Sequence, residues 1–218
     1  PYITVKIASS VDGKISLKNG KSKWITGENT REYIHLLRAR NNALLTGFGT
    51  IDFDDPLLNC RKTGLDHQSP LIFILDSKLS IDINSKVFRN KNNVIILTTD
   101  DHDKSKAEKL LKNNISFKVL KKNINGNVEV FDVLKLLNKF KINNLLIESG
   151  PKIITSFFKN KLIDKIVLCR SGKLFGADSI SFLSSLNLKR ISNVNDFYLK
   201  ESFTIDEDII EHWESKII

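Results

Sequence analysis

The sequence lacks methionine altogether, has only two cysteines, and contains no apolar run that approaches the length of a membrane span. A chain of 218 residues without methionine predicts a processed protein or a piece of a longer one. Cys60 and Cys169 stand far apart with no His or Cys at ligand spacing, so we expect a reducing compartment and no structural zinc. A disulfide between them is the less favoured alternative. With no membrane span and no signal peptide, the chain is expected in solution, in the cytoplasm.

Common nucleotide and catalytic motifs are missing as well. The sequence has no P-loop, and Gly-Phe-Gly-Thr at positions 47–50 is not a dinucleotide fingerprint, because Asp52 stands where the third glycine should be. No histidine belongs to a Ser/His/Asp or zinc arrangement, and His67 and His102 are expected at the surface of polar loops. We therefore expect no metal and no Rossmann-type dinucleotide site.

What the chain does have is charge, with a net value of +9 that comes mostly from lysine. The lysines are scattered, which is typical of a lysine-coated soluble surface. A nucleic-acid groove would interleave arginine with aromatic residues on one face, so we do not expect nucleic acid as a partner. The alternative is a partner that carries phosphate.

Strands and helices alternate along most of the sequence. Continuous apolar runs at Ala43–Gly47, Leu71–Asp76 and Val94–Thr99 predict strands that are covered on both faces. Helices are predicted at Glu28–Arg40 (capped by Thr26), at 104–114 with Ala107, Leu110 and Leu111 on one side, at 130–140, and at 152–160. Three late strands, at 164–170, 196–205 and 208–217, are expected to be antiparallel. The pattern predicts one α/β domain over residues 1–218, with a mainly parallel central sheet, helices on both faces and antiparallel edge strands.

Four predicted strand ends carry polar or glycine-rich tails, where ligands of such sheets gather. They lie at 8–13, 47–50, 76–77 and 148–151. In the last of them, Pro151 suits the first turn of a helix whose free amides would accept phosphate. An ordinary strand-to-helix connection without a ligand explains the same residues, and both interpretations stay open.

Three further features also allow two interpretations. Asp52, Asp54 and Asp55 before Pro56 are typical of a turn, yet they follow a glycine pair and precede Arg61. Arg31, His35 and Arg38 share one face of the first helix, either as a solvated basic stripe or as a phosphate clamp. Trp24 precedes that helix, where a tryptophan more often packs in the core than faces a ligand.

Several segments, in order, are similar to one family. They are VKIASSVDGKI, GKSKWITG, REYIHLLRARNNALLTGFGTIDFDDPLLNCR, PLIFILDSKL and NNLLIESGP. Together they resemble the reductase domain of the bifunctional riboflavin-biosynthesis deaminase/reductase, RibD, from Pro1 to about Phe175. The WITG and TxxxDDPxLxxR elements are specific, whereas the glycine junctions are not. The resemblance implies a fold like that of dihydrofolate reductase.

The resemblance also implies an activity. The expected reaction is reduction of 5-amino-6-(5-phosphoribosylamino)uracil by NADPH, with hydride transfer to ribose C1′ that gives the ribitylamino product. Glu148 is the first candidate for the catalytic acid or orienting group, and Asp54 is the second. Arg38 and Arg61 would clamp the phosphate of the substrate. A homodimer and a fusion to a zinc deaminase domain are further expectations.

The implied binding residues form two sets. The cofactor set comprises Ala8, Trp24, Thr50, Asp54, Ser77, Gly150, Pro151, Lys152, Ile153, Ile154, Thr155 and Ser156. The substrate set comprises Ser22, Arg38, Leu58, Arg61 and Glu148. Gly47 and Gly49 would let the backbone approach the cofactor.

The sequence departs from the family pattern in three places. Ser149 stands where the family usually has glycine, the segment 169–176 lacks the usual proline, and the zinc signature of the deaminase half is absent. The chain is therefore expected to be a separate reductase or an excised C-terminal half, and the missing methionine favours the second. Two alternative functions remain: a related NADPH reductase of another pteridine-like or sugar-phosphate substrate, and a non-catalytic binder of phosphate or nucleic acid.

Overall fold

The computed structural model describes residues 1–89, 93–190 and 194–216. It contains eleven strands in these residues, β1 to β11 in chain order: Tyr2–Ser10, Lys14–Ser16, Ala43–Gly47, Leu71–Leu75, Val94–Thr98, Ser116–Val119, Asn144–Ile147, Lys165–Ser171, Ile180–Ser181, Phe197–Ile205 and Asp208–Ser215. The α-helices are α1 Glu28–Ala39, α2 Phe48–Asp54, α3 Lys104–Lys112, α4 Val130–Lys139 and α5 Pro151–Lys159. Short 3-10 turns lie at Asp66–Gln68 and Lys86–Phe88. Ile217, the last residue of the predicted final strand, lies outside the described residues.

Contacts between residues group the chain into two compact units. The first unit comprises Pro1 and Leu36–Leu145, and the second comprises Tyr2–His35 and the chain from Leu146 onward. Helix α1 and strand β7 each contribute residues to both units. The prediction that the chain forms a single domain stays a prediction.

The first unit contains a parallel part of the central sheet. Its strands lie in the order β3-β4-β5-β6, and each neighbouring pair is parallel. The side chains of β3 and β5 are buried throughout, which is the pattern of strands covered on both faces. Apolar residues at helical spacing on α4 (Val130, Val133 and Leu137) are buried, as the sequence predicted.

One helix of this unit differs from its prediction. Of the three residues expected on the inner side of α3, Ala107 and Leu110 are buried, but Leu111 is 59% exposed. Spacings of three and four residues both place a side chain near the same helical face. Which of these side chains is buried depends on how α3 packs in the fold, and the buried face includes Leu110 but not Leu111.

The second unit contains the antiparallel edge of the sheet. Its main strands lie in the order β10-β11-β8-β1. Strand β8 is antiparallel to β11 but parallel to β1, so only two of the three late strands, β10 and β11, pair purely antiparallel. The fold class is therefore confirmed: an α/β fold with helices, a mostly parallel central sheet and antiparallel strands at its edge.

Helix α1 begins one residue later than its predicted cap implied. Gly27, not Thr26, accepts the first intrahelical bond, from the amide of Arg31. The carboxylate of Asp208 on β11 then accepts from the Gly27 amide (2.7 Å) and from the Thr30 hydroxyl (2.6 Å). A side chain distant in sequence thus accepts from the Gly27 amide, which a local capping box would otherwise satisfy, and also from a helix side chain.

Candidate active site

The glycine-rich strand end at 47–50 continues directly into helix α2. Gly47 has extended backbone angles and caps α2, which runs without a break through Thr50 and Asp54. These two residues are four apart, so they share one face of the helix, and both are half-buried. A side chain added at Gly49 would meet no described atom within 4 Å. Helix α2 therefore presents Thr50 and Asp54 side by side, next to open space.

The three aspartates Asp52, Asp54 and Asp55 do not share one backbone conformation. Asp52 and Asp54 are helical, whereas Asp55 ends α2 in the left-handed region (φ 42°) and donates its amide to the carbonyl of Ile51. The Asp55 carboxylate accepts from the Lys86 amide at 2.7 Å and lies 3.3 Å from Lys86 Nζ. These contacts, the amide first, lower the pKa of Asp55. The turn interpretation therefore holds for Asp55 but is wrong for Asp52 and Asp54.

Leu58 departs from the expectation of a side chain that faces a ligand. It is 3% exposed, and its backbone is left-handed, with φ 55°. A branched side chain in this conformation is uncommon and carries backbone strain of about 1–3 kcal/mol, which the surrounding packing must hold. The structure thus places the Leu58 side chain in the core.

Two arginines of the predicted substrate set meet at one residue. Arg38 Nη1 donates to the backbone carbonyl of Asn59, and Arg61 Nη1 donates to the Asn59 side-chain oxygen, both at 3.1 Å. Arg38 is half-buried and Arg61 is exposed. Asn59 was not singled out from the sequence, and nothing in its local pattern identifies it. The structure brings Arg38 and Arg61 together through this residue, as a shared phosphate contact would require.

Ser77 is held by several bonds just beyond the end of β4. Its hydroxyl accepts from the Val128 amide at 3.2 Å, and its carbonyl accepts from the hydroxyls of Thr98 and Thr99. The preceding residue, Asp76, is buried and accepts from the Ile81 amide at 2.8 Å. Ser77 therefore occupies a fixed position at the carboxyl ends of β4 and β5.

In the second unit, Glu148 forms an ion pair that sequence analysis missed. Lys6 Nζ lies 3.4 Å from Glu148 Oε2, and the two side chains are 14% and 7% exposed. Lys6 is two residues before Ala8 on β1, so both side chains lie on the same face of the strand. That alternate spacing was the only signal in the sequence that could have linked Lys6 to the predicted site.

Cys169 pairs in register with Ala8 across β8 and β1. Burial raises the pKa of its thiol to about 11. Cys60 and Cys169 are both free and buried. A protonated, buried thiol is a poor nucleophile, so this strand end does not support cysteine chemistry.

The junction from β7 to α5 has the features of an anion-binding helix terminus. Gly150 is the N-cap with an extended backbone, Pro151 is the first helical residue, and no described side chain caps the helix. A side chain at Gly150 would meet no described atom within 4 Å. The buried hydroxyl of Ser149 has no hydrogen-bond partner among the described residues. Open amides beside an unsatisfied hydroxyl fit a phosphate-bearing cofactor.

The rest of the predicted cofactor segment is not uniform. Ile154 and Thr155 are buried, and the Thr155 hydroxyl accepts from the Ser184 amide at 2.8 Å. Lys152 is exposed, whereas Ile153 and Ser156 are half-buried. Ile154 and Thr155 therefore face the interior, whereas Lys152, Ile153 and Ser156 keep some exposure to solvent.

Trp24 is 63% exposed, so the interpretation as a core residue is wrong. The guanidinium carbon of Arg31 lies 4.3 Å from the centroid of the indole ring, and Arg31 Nη1 donates to the carbonyl of Thr26 at 2.9 Å. Lys173 Nζ donates to the Trp24 carbonyl. Ser22, two residues earlier, is half-buried.

The basic face of α1 is not a solvated stripe. His35 is 6% exposed, Arg31 covers an aromatic ring, and Arg38 is bonded to Asn59. His102 is also not a plain surface residue, since it is half-buried and its Nδ1 lies 2.6 Å from the carbonyl of Thr99. His67 is exposed, as expected.

The described ranges hold neither a cluster of metal ligands nor a helix that could span a membrane. Residues 1–89, 93–190 and 194–216 contain no group of three or more His, Cys, Asp or Glu side chains that could hold a metal ion. Over the same ranges, every helix is too short or too polar to cross a membrane.

The fold belongs to the class of dihydrofolate reductase. That enzyme from Enterococcus faecalis aligns with a TM-score of 0.53 and 13% identity, over 99% of this chain and 96% of the other. The deaminase/reductase of Thermotoga maritima aligns with a TM-score of 0.80 and 26% identity, over 99% of this chain and 56% of the other. Its name gives two activities, diaminohydroxyphosphoribosylaminopyrimidine deaminase and 5-amino-6-(5-phosphoribosylamino)uracil reductase.

The sequence model of the RibD C-terminal domain matches residues 1–210, and the chain belongs to this family. Riboflavin biosynthesis protein RibD of Aquifex aeolicus is 32% identical over 96% of this chain and 56% of its own length. The chain thus spans little more than half of that relative. The 5-amino-6-(5-phosphoribosylamino)uracil reductase of Buchnera aphidicola from Acyrthosiphon pisum is 26% identical over 88% of this chain and 96% of its own length.

Proposed function

We propose that the chain is a reductase of riboflavin biosynthesis, which reduces 5-amino-6-(5-phosphoribosylamino)uracil with NADPH as the hydride source. The observation that carries this proposal is the junction from Glu148 to Pro151. There, a buried carboxylate directly precedes an open helix N-terminus and an unsatisfied hydroxyl. The family and the relative of similar length that is named for this reaction support the choice of substrate.

Polar groups suited to a nicotinamide cofactor occur within each unit. In the second unit, the first turn of α5 would bind phosphate through its free amides, next to Ser149. In the first unit, Thr50, Asp54 and Ser77 would supply polar groups for the ribose and the carboxamide. The chemistry that NADPH would supply is a hydride for ribose C1′ of the substrate, in its ring-opened form. A reductase with this fold is expected to use a nicotinamide cofactor, and we propose NADPH as the particular one.

Arg38 and Arg61 would bind the substrate's phosphate. Both guanidinium groups already bond to Asn59, one to its backbone carbonyl and the other to its side-chain oxygen. A guanidinium matches a phosphate because two parallel N–H donors can meet two oxygens. Pre-positioned donors lose less side-chain freedom when the ligand binds.

The reaction also needs a proton for the substrate. Glu148 is our first candidate for the group that delivers or directs it, because it is buried, ion-paired with Lys6 and next to the helix terminus. Asp54 is the second candidate. Their separate contributions follow from the pH dependence of kcat in Glu148→Gln and Asp54→Asn variants.

The decisive experiment follows NADPH oxidation with the phosphoribosylaminouracil substrate, beside a parallel assay with NADH. We expect oxidation that depends on the substrate and prefers NADPH. Binding of NADPH without oxidation would retain a cofactor site and exclude this substrate, which favours a reductase of another pteridine-like or sugar-phosphate compound. Neither binding nor oxidation, together with a salt-dependent shift of RNA or DNA, would favour the non-catalytic binder.

We further propose that the chain forms one domain, works in the cytoplasm as a homodimer, and is fused to a deaminase in a longer protein. The exposed apolar side chains of β10, Tyr198, Leu199 and Phe203, support a dimer. Light scattering over a range of concentrations tests the dimer, and a single cooperative unfolding transition would support the single domain.

A further inference from the structure

Trp24 is unusual because it is a large aromatic side chain that the fold holds outside the core. Burial of an aromatic side chain is a major source of stability, and Trp24 forgoes much of it at 63% exposure. Its immediate neighbours Ile25 and Thr26 are buried. The chain on either side of the indole is therefore fixed while the ring itself faces outward.

Three contacts hold this segment in place. Lys173 donates to the Trp24 carbonyl, and Arg31 donates to the Thr26 carbonyl. Asp208 fixes the start of α1 through the Gly27 amide. Arg31 itself sits in the first turn of α1, so its guanidinium is presented from a pinned helix end.

The guanidinium of Arg31 covers one side of the indole, with its central carbon 4.3 Å from the ring centroid. The side chain is nevertheless 63% exposed, so much of the ring that Arg31 does not cover is accessible to a ligand. A planar guanidinium stacks on an aromatic face in a way that a lysine ammonium cannot reproduce. Arg31 thus restricts the rotation of Trp24 and leaves an open aromatic face.

We propose that Arg31 is a positioning residue, which holds the Trp24 indole as a flat surface against which a planar ring of the nicotinamide cofactor packs. This inference rests on the proposed function, because it assigns Trp24 to the cofactor. It gives Arg31 a role in cofactor binding that acts through Trp24. Arg31 does not need to touch the cofactor; it acts through the indole.

The test uses the intact chain with Trp213→Phe, so that Trp24 is the single tryptophan and reports on itself. Arg31→Met retains much of the apolar stem and removes the guanidinium, whereas Arg31→Lys keeps the charge without the plane. Arg40→Met is the matched control, since Arg40 is exposed and lies just beyond the end of α1. The measurements are the fluorescence anisotropy of Trp24 in the free protein, the Kd of NADPH, and KM and kcat.

We expect Arg31→Met to lower the anisotropy of Trp24 and to raise the Kd of NADPH about three- to tenfold. Arg31→Lys should give nearly the same loss, Arg40→Met should change the Kd by less than about twofold, and kcat at saturating NADPH should change little. In a Trp24→Ala background, followed by the fluorescence of NADPH itself, Arg31→Met should have almost no further effect on the Kd.

Three results would overturn the inference while the proposed function stands: unchanged anisotropy in Arg31→Met, a normal Kd in Arg31→Lys, or an undiminished effect of Arg31→Met without the indole. The last two would show that only the charge of Arg31 matters. If the parent chain binds no NADPH, the proposed function fails, and the inference fails with it. Circular dichroism confirms that each variant is folded, and the milder Arg31→Lys replaces Arg31→Met if that variant unfolds.

Discussion

Lys6 Nζ lies 3.4 Å from Glu148 Oε2, and neither side chain is more than 14% exposed. Lys6 belongs to β1, and Glu148 directly follows β7. Two opposite charges removed from water compensate each other only while both are present. Either one alone would be a poorly solvated charge inside the protein. This pair also places a carboxylate immediately before the open terminus of α5, so stability and the proposed chemistry depend on the same contact.

Removal of one partner should therefore cost more than removal of both. We expect Glu148→Gln or Lys6→Met alone to lower the free energy of unfolding by about 2–4 kcal/mol, a value reduced slightly because Lys6 keeps some contact with water. The double variant should recover part of that loss. Urea denaturation of the four proteins measures the coupling energy. Additive losses in the double variant would contradict a coupled ion pair.

The start of α1 should depend on Asp208. Replacement by Asn weakens the bonds to the Gly27 amide and the Thr30 hydroxyl, so we expect Asp208→Asn to lower the free energy of unfolding by about 1–3 kcal/mol. Asp206→Asn is the matched control on the same hairpin. Asp206 is bonded to exposed Asn29, and its loss should cost less than about 0.5 kcal/mol. Equal losses in thermal or urea unfolding would argue against this distant cap.

Binding of the substrate through its phosphate should depend on both Arg38 and Arg61. Removal of either guanidinium should raise the KM of the phosphoribosyl substrate about 10- to 100-fold, the usual cost of lost hydrogen bonds to a charged group. Arg38→Met with Arg61→Ala should fall short of the product of the single effects, because one phosphate serves both.

Arg89→Met controls for the general loss of a positive charge. Arg89 is exposed and donates a long bond, 3.4 Å, to the carbonyl of Asn84, so the KM of the Arg89→Met variant should stay within about twofold of the parent value. Undisturbed turnover in Arg61→Ala would refute the clamp.

Acid should destabilise the second unit through His212. Burial lowers the pKa of His212, with Lys165 acting in the same direction and the carboxylates of Glu201 and Glu214 opposing it. The ring also lies 2.7 Å from the hydroxyl of Tyr33. Because the folded form binds the proton less readily than the unfolded chain, the unfolded chain holds more protons between the lowered pKa and about 6.5.

The fold should therefore be more stable at higher pH over this interval. The stability contributed by neutral His212 is complete above about pH 6.5 and falls as the pH drops toward the lowered pKa. We expect the free energy of unfolding to decrease across this interval in the parent chain and to change less in His212→Gln. Denaturant titrations at several pH values measure the slopes. If the free energy of unfolding of the parent chain does not change with pH across the interval, or changes more steeply in His212→Gln, His212 does not titrate in this way.

Local patterns predicted most elements of the fold. Strand β3 has the predicted bounds, β4 and β5 differ from theirs by one residue at one end, and α5 differs by one residue at each end. These segments carry long apolar runs or clear helical spacing, so their secondary structure depends on near neighbours. Leu111 shows the limit of that reasoning, because its spacing predicted burial and its solvent exposure depends on which line of α3 meets the sheet.

The candidate site could be predicted only in part. Resemblance to the family selected Glu148, Arg38 and Arg61, but the residues that hold them, Lys6 and Asn59, carry no local motif. A lysine on a strand and an asparagine in a loop have many ordinary uses. The role of each depends on a partner that is distant in sequence. Lys6 pairs with Glu148, 142 positions away, and Asn59 accepts from Arg38, 21 positions away.

By itself, the sequence determined the α/β class and the strand ends that carry polar residues, since these follow from periodicity and local residue types. The family came from the resemblance of its motifs. Tertiary structure alone decided that Trp24 stays outside the core, that Leu58 lies within it, and that Asp208 caps α1. Burial and hydrogen-bond pairing depend on which distant segments meet, and no local pattern encodes that meeting.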